Sequence, residues 1–307
     1  MIPVNSVLQV GSFPEIMQAE IDRRIQTARL PDPKGIAPAG QFEAILVRSN
    51  TTVPIQLIEQ IPSIKLIATC GVGYDNLPID YLKKQGIKAT NTPGVLNDAV
   101  CELAIGMLFS LLRRIHDADQ FVRNGEWSKR VFPITTNLSG KKIGIAGMGR
   151  IGQDLAKRLH PFGVQISYTG PSKKNVPYQF VSTVKELAEQ VDVLLLACPA
   201  SPETEKMINA EVLRALGPKG YLVNIARGSV VDEAALIIAL QQKLIAGAAL
   251  DVFENEPNPA SVLLTLDNVL LTPHIGSATI ETRQAMTNLS IDNLEAFFNQ
   301  QPLLTPI

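Results

Sequence analysis

"KKIGIAGMGRIGQDLAKRL", residues 141–159, decides the fold. Residues 142–146 form a short, mostly apolar run that predicts a strand. Gly147, Gly149 and Gly152 follow in G-x-G-x-x-G spacing. Residues 150–159 then place Ile151, Leu155 and Leu159 four apart, the stripe of a helix that faces a sheet. Strand, glycine turn and helix in that order open a dinucleotide-binding βαβ unit. The first glycine permits the tight turn, the second lets backbone approach a pyrophosphate, and the third lets the helix pack close to the strand. The helix N-terminus adds free N–H groups and a positive dipole end for the phosphates, with Arg150 and Ile151 at its start.

Moving outward, strand-like runs alternate with helical patterns on both sides. Downstream, strands are expected at 165–168, 193–197, 221–225, 246–252 and 269–271. With 142–146 they make six, a complete dinucleotide fold. Upstream, strands at 4–10, 44–47, 65–70 and 87–90 alternate with helices at 15–24, 54–60 and 79–85, which predicts another parallel sheet covered on both faces. Residues 97–122 read as one long helix, apolar on most sides and so buried by a domain junction or a second subunit. Residues 123–140 break all periodicity. A last helix at 278–299 is expected to cross back onto the first domain, because the second is already complete. The fold class is therefore α/β, with two Rossmann-like/flavodoxin-like doubly wound parallel-sheet domains and a cleft between them. Residues 1–97 with 280–307 form a discontinuous substrate-binding domain, and 98–279 the NAD(P)-binding domain.

Composition agrees with this plan. A chain of 307 residues suits two domains, and 46% apolar against 19% charged residues supplies their cores. A net charge of −1 offers no electrostatic reason to bind nucleic acid or an acidic membrane. Cys70, Cys101 and Cys198 each lie in an apolar run without metal-type spacing, as buried thiols of a reducing compartment do. The first ten residues read as a strand without a basic leader, and no run approaches the roughly 18 apolar residues of a membrane helix. The expectation is a cytoplasmic protein with no bound metal.

The choice of cofactor turns on "ISYTGPSKKN", residues 166–175. About 20 residues past the glycine turn, an Asp or Glu ordinarily accepts the adenosine ribose hydroxyls and repels a 2′-phosphate. Here the slot holds Gly170, Pro171, Ser172, Lys173 and Lys174. A hydroxyl and two ammonium groups suit a 2′-phosphate through charge-assisted hydrogen bonds. The stretch therefore points to NADPH with NADH as the second candidate; the plain alternative is a solvated lysine loop.

Three segments lie at the carboxyl ends of predicted strands, where open α/β sheets bind ligands. They are "LVNIARGSVVDEAAL" at 222–236, "GAALDVFENEP" at 247–257 and "NVLLTPHIGSAT" at 268–279. They offer Arg227, Glu256 and His274, the residue types that reduction of a 2-keto acid requires. A guanidinium fork holds a carboxylate. An imidazolium protonates a carbonyl oxygen as hydride arrives, and a carboxylate beside it orients the ring and favours its charged form. Taken singly, each has a structural alternative: a core histidine, a strand-capping arginine, a turn-forming glutamate.

Seven ordered motifs carry a resemblance over essentially the whole chain: "GVGYDNLPID", "NTPGVLNDAV", "GMGRIGQ", "CPASPETEKMIN", "NIARGSVVD", "ALDVFENEP" and "TPHIGSAT". The sequence resembles the D-isomer-specific 2-hydroxyacid dehydrogenase family, most of all its NADPH-using glyoxylate/hydroxypyruvate reductases and their hydroxyphenylpyruvate-reducing relatives. The resemblance implies hydride transfer to a short 2-keto acid, with His274 as general acid, Glu256 its partner and Arg227 the substrate clamp. It implies that Val72 and Gly73 present backbone N–H groups to the substrate carboxylate and that Asp251 faces the nicotinamide carboxamide. Cys198, Pro199, Thr204, Ala226 and Gly276 would line the cofactor pocket. Arg48 either joins the substrate site or is a solvated loop residue. Trp127, the one tryptophan, either anchors its own loop or reaches a neighbouring subunit's active site. A homodimer is expected, through the helix from 97 and the Trp127 loop. Asp98 and Cys101 stand where the family more often has Thr and Ala, and the ribose acid is missing. Two other functions remain open: an NAD-linked 3-phosphoglycerate dehydrogenase-like enzyme and a non-catalytic NAD(H)-sensing, corepressor-like protein.

Overall fold

In the computed structural model, which describes residues 2–307, the alternation of strand and helix resolves into two compact units. Of the described residues, 2–96 with Ser277–Ile307 form one, and Asn97–Gly276 the other.

The first unit begins with β1 (Val7–Val10), α1 (Glu15–Arg24), β2 (Ala28–Leu30) and β3 (Ala44–Arg48). It continues through α2 (Ile55–Glu59), β4 (Leu66–Cys70), α3 (Ile79–Gln85) and β5 (Lys88–Thr90). Among the described residues these strands form one parallel sheet in the order β2-β1-β3-β4-β5, the flavodoxin-like arrangement. Every residue of β1 and β4 is buried, Gln9 and Thr69 included, so apolar side chains predominate on both faces of these strands. The first strand starts later than expected: Asn5 takes a left-handed φ of 58° and turns the chain before Val7. Strand β2 escaped the sequence reading. Three residues carrying an arginine leave no period to detect, and only pairing with β1 makes them a strand.

The second unit opens with α4 (Asn97–Arg113) and α5 (Ile115–Arg123), where one helix was expected. The break is Arg114, left-handed at φ 51° and ion-paired to Asp117 at 2.7 Å. The apolar stripe of α4 ends at Leu112, whereas α5 buries only Phe121, so no shared core face keeps the two in line. There follow β6 (Lys142–Ala146), α6 (Arg150–Leu159), β7 (Gln165–Thr169), β8 (Gln179–Phe180), α7 (Val184–Ala188) and β9 (Val193–Leu196). After these come α8 (Ala210–Leu216), β10 (Tyr221–Asn224), α9 (Glu233–Gln241), β11 (Gly247–Leu250) and β12 (Val269–Leu271). The described strands run parallel in the order β12-β11-β10-β9-β6-β7-β8. That is one more strand than expected, the two-residue β8 being legible only through its pairing with β7. Met107, Leu108, Leu155 and Leu159 cover one face with Ile143 and Ile145. Leu187, Val212, Leu213 and Leu236 cover the other with Leu194, Leu196 and Leu222. The order reverses between β6 and β9, which leaves a crevice beyond their carboxyl ends.

The last helix, α10 (Ile280–Phe298), belongs to the first unit, where Ile291 and Leu294 pack with Val7, Ile21, Leu66 and Ala68. Buried Asn293 ties the C-terminal tail to it. Its Nδ2 donates to Leu289 O and Thr305 Oγ1 at 2.8 and 2.9 Å, and its Oδ1 accepts the N–H groups of Leu304 and Thr305 at 3.0 and 3.1 Å. The tail in turn meets the end of β5, Ile307 N donating to Ala89 O at 3.0 Å. Among the described residues no helix is long and apolar enough to cross a membrane, and no group of three His, Cys, Asp or Glu side chains is placed to hold a metal ion. Cys70, Cys101 and Cys198 are free and buried.

Replacing Asn293 with Ala removes the acceptor of the Leu304 and Thr305 N–H groups and the donor to Thr305 Oγ1. The expected loss is about 2–4 kcal/mol of unfolding free energy, read from urea denaturation. A change below about 0.5 kcal/mol would mean that water replaces the hub at no cost.

Candidate active site

The glycines after β6 meet three different demands. Gly147 has φ 104°, and a Cβ there would lie 2.6 Å from Cys198 N, so the turn rests directly on backbone leaving β9. A Cβ on Gly152 would lie 2.0 Å from Gly147 O, so α6 is pressed against the turn. Gly149 has no atom within 4 Å of its absent Cβ, so no protein contact requires glycine there. A pyrophosphate approaching backbone does require it. Beside this open space the N–H groups of Arg150, Ile151 and Gly152 find no acceptor among the described residues, and no side chain caps α6. Across the crevice, Thr204 braces the Cys198–Pro199 turn: its Oγ1 donates to Pro199 O and accepts from Ser201 N, both at 2.8 Å. The residues present fit a dinucleotide's phosphates.

The loop after β7 is exposed at Ser172, Lys173 and Lys174, and neither lysine has a carboxylate partner among the described residues. Its shape is nonetheless held from below. Tyr168, fully buried and tilted against Phe180, accepts Lys174 N–H at 2.7 Å and reaches Lys174 O at 3.3 Å. Tyr168 went unnoticed in the sequence because its ring reads as one more apolar strand residue.

Arg227, Glu256 and His274 come together in the Asn97–Gly276 unit. Glu256 Oε2 lies 2.6 Å from His274 Nδ1, while its Oε1 accepts Phe253 N–H at 3.1 Å. With Nδ1 engaged, the imidazole presents Nε2, and the side chain is 37% exposed, open enough to meet a ligand. Burial alone would raise the Glu256 carboxyl. The His274 bond and charge, the Phe253 amide and the Arg227 charge outweigh it and bring the carboxyl below its ordinary range. Arg227 follows β10, where Asn224 Nδ2 donates to Arg227 O at 3.0 Å and Asn224 Oδ1 accepts Ala226 N–H at 3.0 Å. A Cβ on Gly228 would meet Phe253 O at 1.9 Å, so the Arg227 turn lies flush against the segment leading to Glu256. Asn224 is a supporting residue that the sequence reading missed; its signal was the buried amide at the head of "NIARG".

Asp251 holds the loop that carries the histidine. Only 2% exposed, it accepts Thr272 Oγ1 at 2.7 Å and Ile275 N–H at 2.8 Å on one oxygen, and Gly276 N–H at 2.8 Å on the other. His274, between these donors, is left-handed at φ 53°, a conformation a β-substituted residue keeps only when its surroundings enforce it. Burial raises the Asp251 carboxyl, partly offset by these bonds.

Val72, Gly73 and Arg48 belong to the other unit. Val72 and Gly73 form the turn after β4. Asn91 Nδ2 holds Val72 O at 2.8 Å, while neither turn N–H has an acceptor among the described residues. Arg48 ends β3, half-buried rather than solvated, with Nη1 3.5 Å from Ser12 O. Trp127, in a 3-10 turn at Glu126–Ser128, is 72% exposed, so it does not anchor its own loop.

Comparison with known proteins agrees with this architecture. Residues 105–276 match the D-isomer specific 2-hydroxyacid dehydrogenase, NAD binding domain. The chain is 42% identical to a hydroxyphenylpyruvate reductase of Plectranthus scutellarioides over 98% of both proteins. It is 40% identical to a glyoxylate/hydroxypyruvate reductase A of Arabidopsis thaliana, again over 98% of both. Among solved structures, an NADPH-dependent glyoxylate/hydroxypyruvate reductase from Sinorhizobium meliloti, in complex with NADP and malonate, superposes with a TM-score of 0.94 at 39% identity, covering 99% of this chain and 97% of that one. The chain belongs to the D-isomer specific 2-hydroxyacid dehydrogenase family.

Two outcomes follow from the geometry. Asp251→Ala leaves three donors without an acceptor and releases His274 from its left-handed backbone, so stability should fall by about 2–4 kcal/mol in denaturant titration. An unchanged midpoint would remove Asp251 from this role. The second concerns pH. Because folding lowers the Glu256 pKa, its stabilisation is complete above the ordinary value of 4.5 and is lost as pH falls through the folded value. The gap in unfolding free energy between wild type and Glu256→Gln should hold from pH 7 to about 5 and shrink below that. A gap independent of pH would exclude the ionised pair as its source.

Proposed function

We propose, from membership of this family, that the chain reduces a short 2-keto acid to the D-2-hydroxy acid with NADPH. The observation that carries this reading is the Glu256–His274 pair at 2.6 Å, within the electrostatic reach of Arg227. A bound nicotinamide, its dinucleotide held at Gly147, Gly149, Arg150, Ile151 and Gly152, would supply the hydride chemistry. His274 gives a proton from Nε2 to the alkoxide oxygen, so the carbon gains a hydride, the oxygen gains this proton, and the imidazole is left neutral. Glu256 holds the Nδ1 proton and stabilises the imidazolium before transfer. Arg227 takes the substrate carboxylate through its guanidinium fork, with the unpaired N–H groups of Val72 and Gly73 assigned to the same carboxylate. Asp251, assigned to face the nicotinamide carboxamide, also holds the histidine loop, and Gly276 and Ala226 are assigned to line the cofactor side through backbone.

NADPH is the assigned cofactor because Ser172, Lys173 and Lys174 stand where the ribose acid is absent, on a loop held by Tyr168. The chain is assigned to the cytoplasm and to a homodimer. Ile115, Val122, Trp127, Val131 and Ile134, all exposed between residues 115 and 134, support the second assignment. A sensing protein without catalysis would share the cofactor site but would not need the His274–Glu256 pair.

Initial rates with hydroxypyruvate should favour NADPH over NADH at matched concentrations. In a Lys173→Ser, Lys174→Ser double variant the NADPH-to-NADH ratio of kcat/KM should fall about tenfold or more, as loss of charge-assisted bonds to a phosphate entails. An unaltered ratio would leave these lysines as solvated surface. His274→Gln should lower kcat/KM by about 100- to 10,000-fold while cofactor still binds. Turnover close to wild type would overturn the assignment of the acid.

A further inference from the structure

Two successive residues of another segment hold the turn whose Val72 and Gly73 amides are assigned above to the substrate carboxylate. Asn91 Nδ2 donates to Val72 O at 2.8 Å, and Thr92 N–H donates to Gly71 O at 2.8 Å. Both peptides are trans, so in each the C=O and N–H point in opposite directions and a fixed carbonyl fixes the amide on the far side of the same plane. Pinning Gly71 O therefore sets the Val72 N–H, and pinning Val72 O sets the Gly73 N–H. Gly71 also abuts Ser49: a Cβ there would fall 2.1 Å from Ser49 Oγ, so the turn is closed on that side as well.

Asn91 is itself held by a distant part of the chain. It follows β5, an edge strand of its sheet, and the segment after α10 runs antiparallel beside it, with Thr90 bridging Pro306. Thr305 Oγ1 donates to Asn91 O at 2.6 Å, and Asn91 N–H donates to Thr305 O at 3.3 Å. The same hydroxyl accepts Asn293 Nδ2 at 2.9 Å, while Thr305 N–H donates to Asn293 Oδ1 at 3.1 Å. Thr305 thus spends its one hydroxyl hydrogen on Asn91 and a lone pair on Asn293. A continuous run of hydrogen bonds leads from Asn293 in α10 through Thr305 and Asn91 to the Val72 carbonyl, all within one unit.

We propose that Asn91 and Thr305 are positioning residues for the 2-keto acid: acting through the Val72 carbonyl, they aim the Gly73 amide at the substrate carboxylate. The inference rests on the reductase reading of the preceding section. The carboxylate keeps its charge from ground state to transition state, so loosening the amide weakens both alike, which raises KM and spares kcat. A purely structural role would instead lower the folded fraction, and with it kcat, at unchanged KM.

The test uses the full chain and reads KM and kcat separately for hydroxypyruvate at saturating NADPH. Asn91→Ala and Thr305→Val should each raise KM for hydroxypyruvate at least about fivefold, with kcat and the KM for NADPH within about twofold of wild type. Thr305→Ser, which keeps the hydroxyl, should hold KM within about twofold of wild type. An unchanged KM in both variants, or a loss confined to kcat, would overturn the positioning role while leaving the reductase reading intact. A second readout needs no turnover: in calorimetric titration of the NADPH-loaded protein with oxalate, both variants should bind at least about fivefold more weakly than wild type, and Thr305→Ser should not. If wild type reduces no 2-keto acid, the reductase reading fails and oxalate alone decides. Weaker binding in both variants then supports the positioning role, and equal or absent binding overturns it. Should Asn91→Ala fail to fold, the two Thr305 variants carry both comparisons.

Discussion

The buried carboxylate of Asp251 is the constraint on which the site depends. Accepting three donors from one short loop, it joins the end of β11 to the segment after β12 and leaves the chain no relaxed alternative at His274. A left-handed histidine costs energy, and over-determination by its neighbours keeps it in place. The same bonds aim the ring so that Nδ1 meets Glu256 and Nε2 faces outward. The placement of the His274 ring thus rests on a residue that makes no hydrogen bond to that ring.

Close backbone approach plays the corresponding part on the cofactor side. At Gly147, Gly152 and Gly228 any side chain would collide with main-chain atoms, so three turns nest against neighbouring backbone. Such nesting lets the carboxyl ends of β6, β9, β10 and β11 converge within one unit. Gly149 differs, since its Cβ would meet nothing in the protein, and a glycine without a protein reason is informative about a ligand. Tyr168 adds rigidity from beneath, holding both backbone groups of Lys174 so that the exposed lysines are presented from an ordered loop.

In the other unit the constraint is electrostatic. Arg48 ends β3 opposite Cys70 at the end of β4, and the Cys70 thiol, pushed up to about 11 by burial, supplies no balancing charge at neutral pH. Fold rules place ligands beyond the carboxyl ends of parallel strands, and Arg48 and the Val72–Gly73 turn both lie there.

What the sequence by itself determined was everything that local periodicity and contiguous motifs encode. The parallel α/β class and the glycine turn were legible from spacing alone, and Arg227, Glu256 and His274 as a set from the three motifs that carry them within the resemblance to one family. The tertiary structure decided what depends on partners distant in the chain. Ala28–Leu30 and Gln179–Phe180 become strands only through neighbours that pair with them. The helix predicted over 97–122 breaks at Arg114, because local apolarity does not say where a core face ends. Asp251 as a loop clamp and Tyr168 beneath the lysine loop were both invisible in one dimension. A hydrogen bond or an uncompensated charge is a property of what surrounds a residue, and those surroundings exist only once the sheet has brought remote segments together.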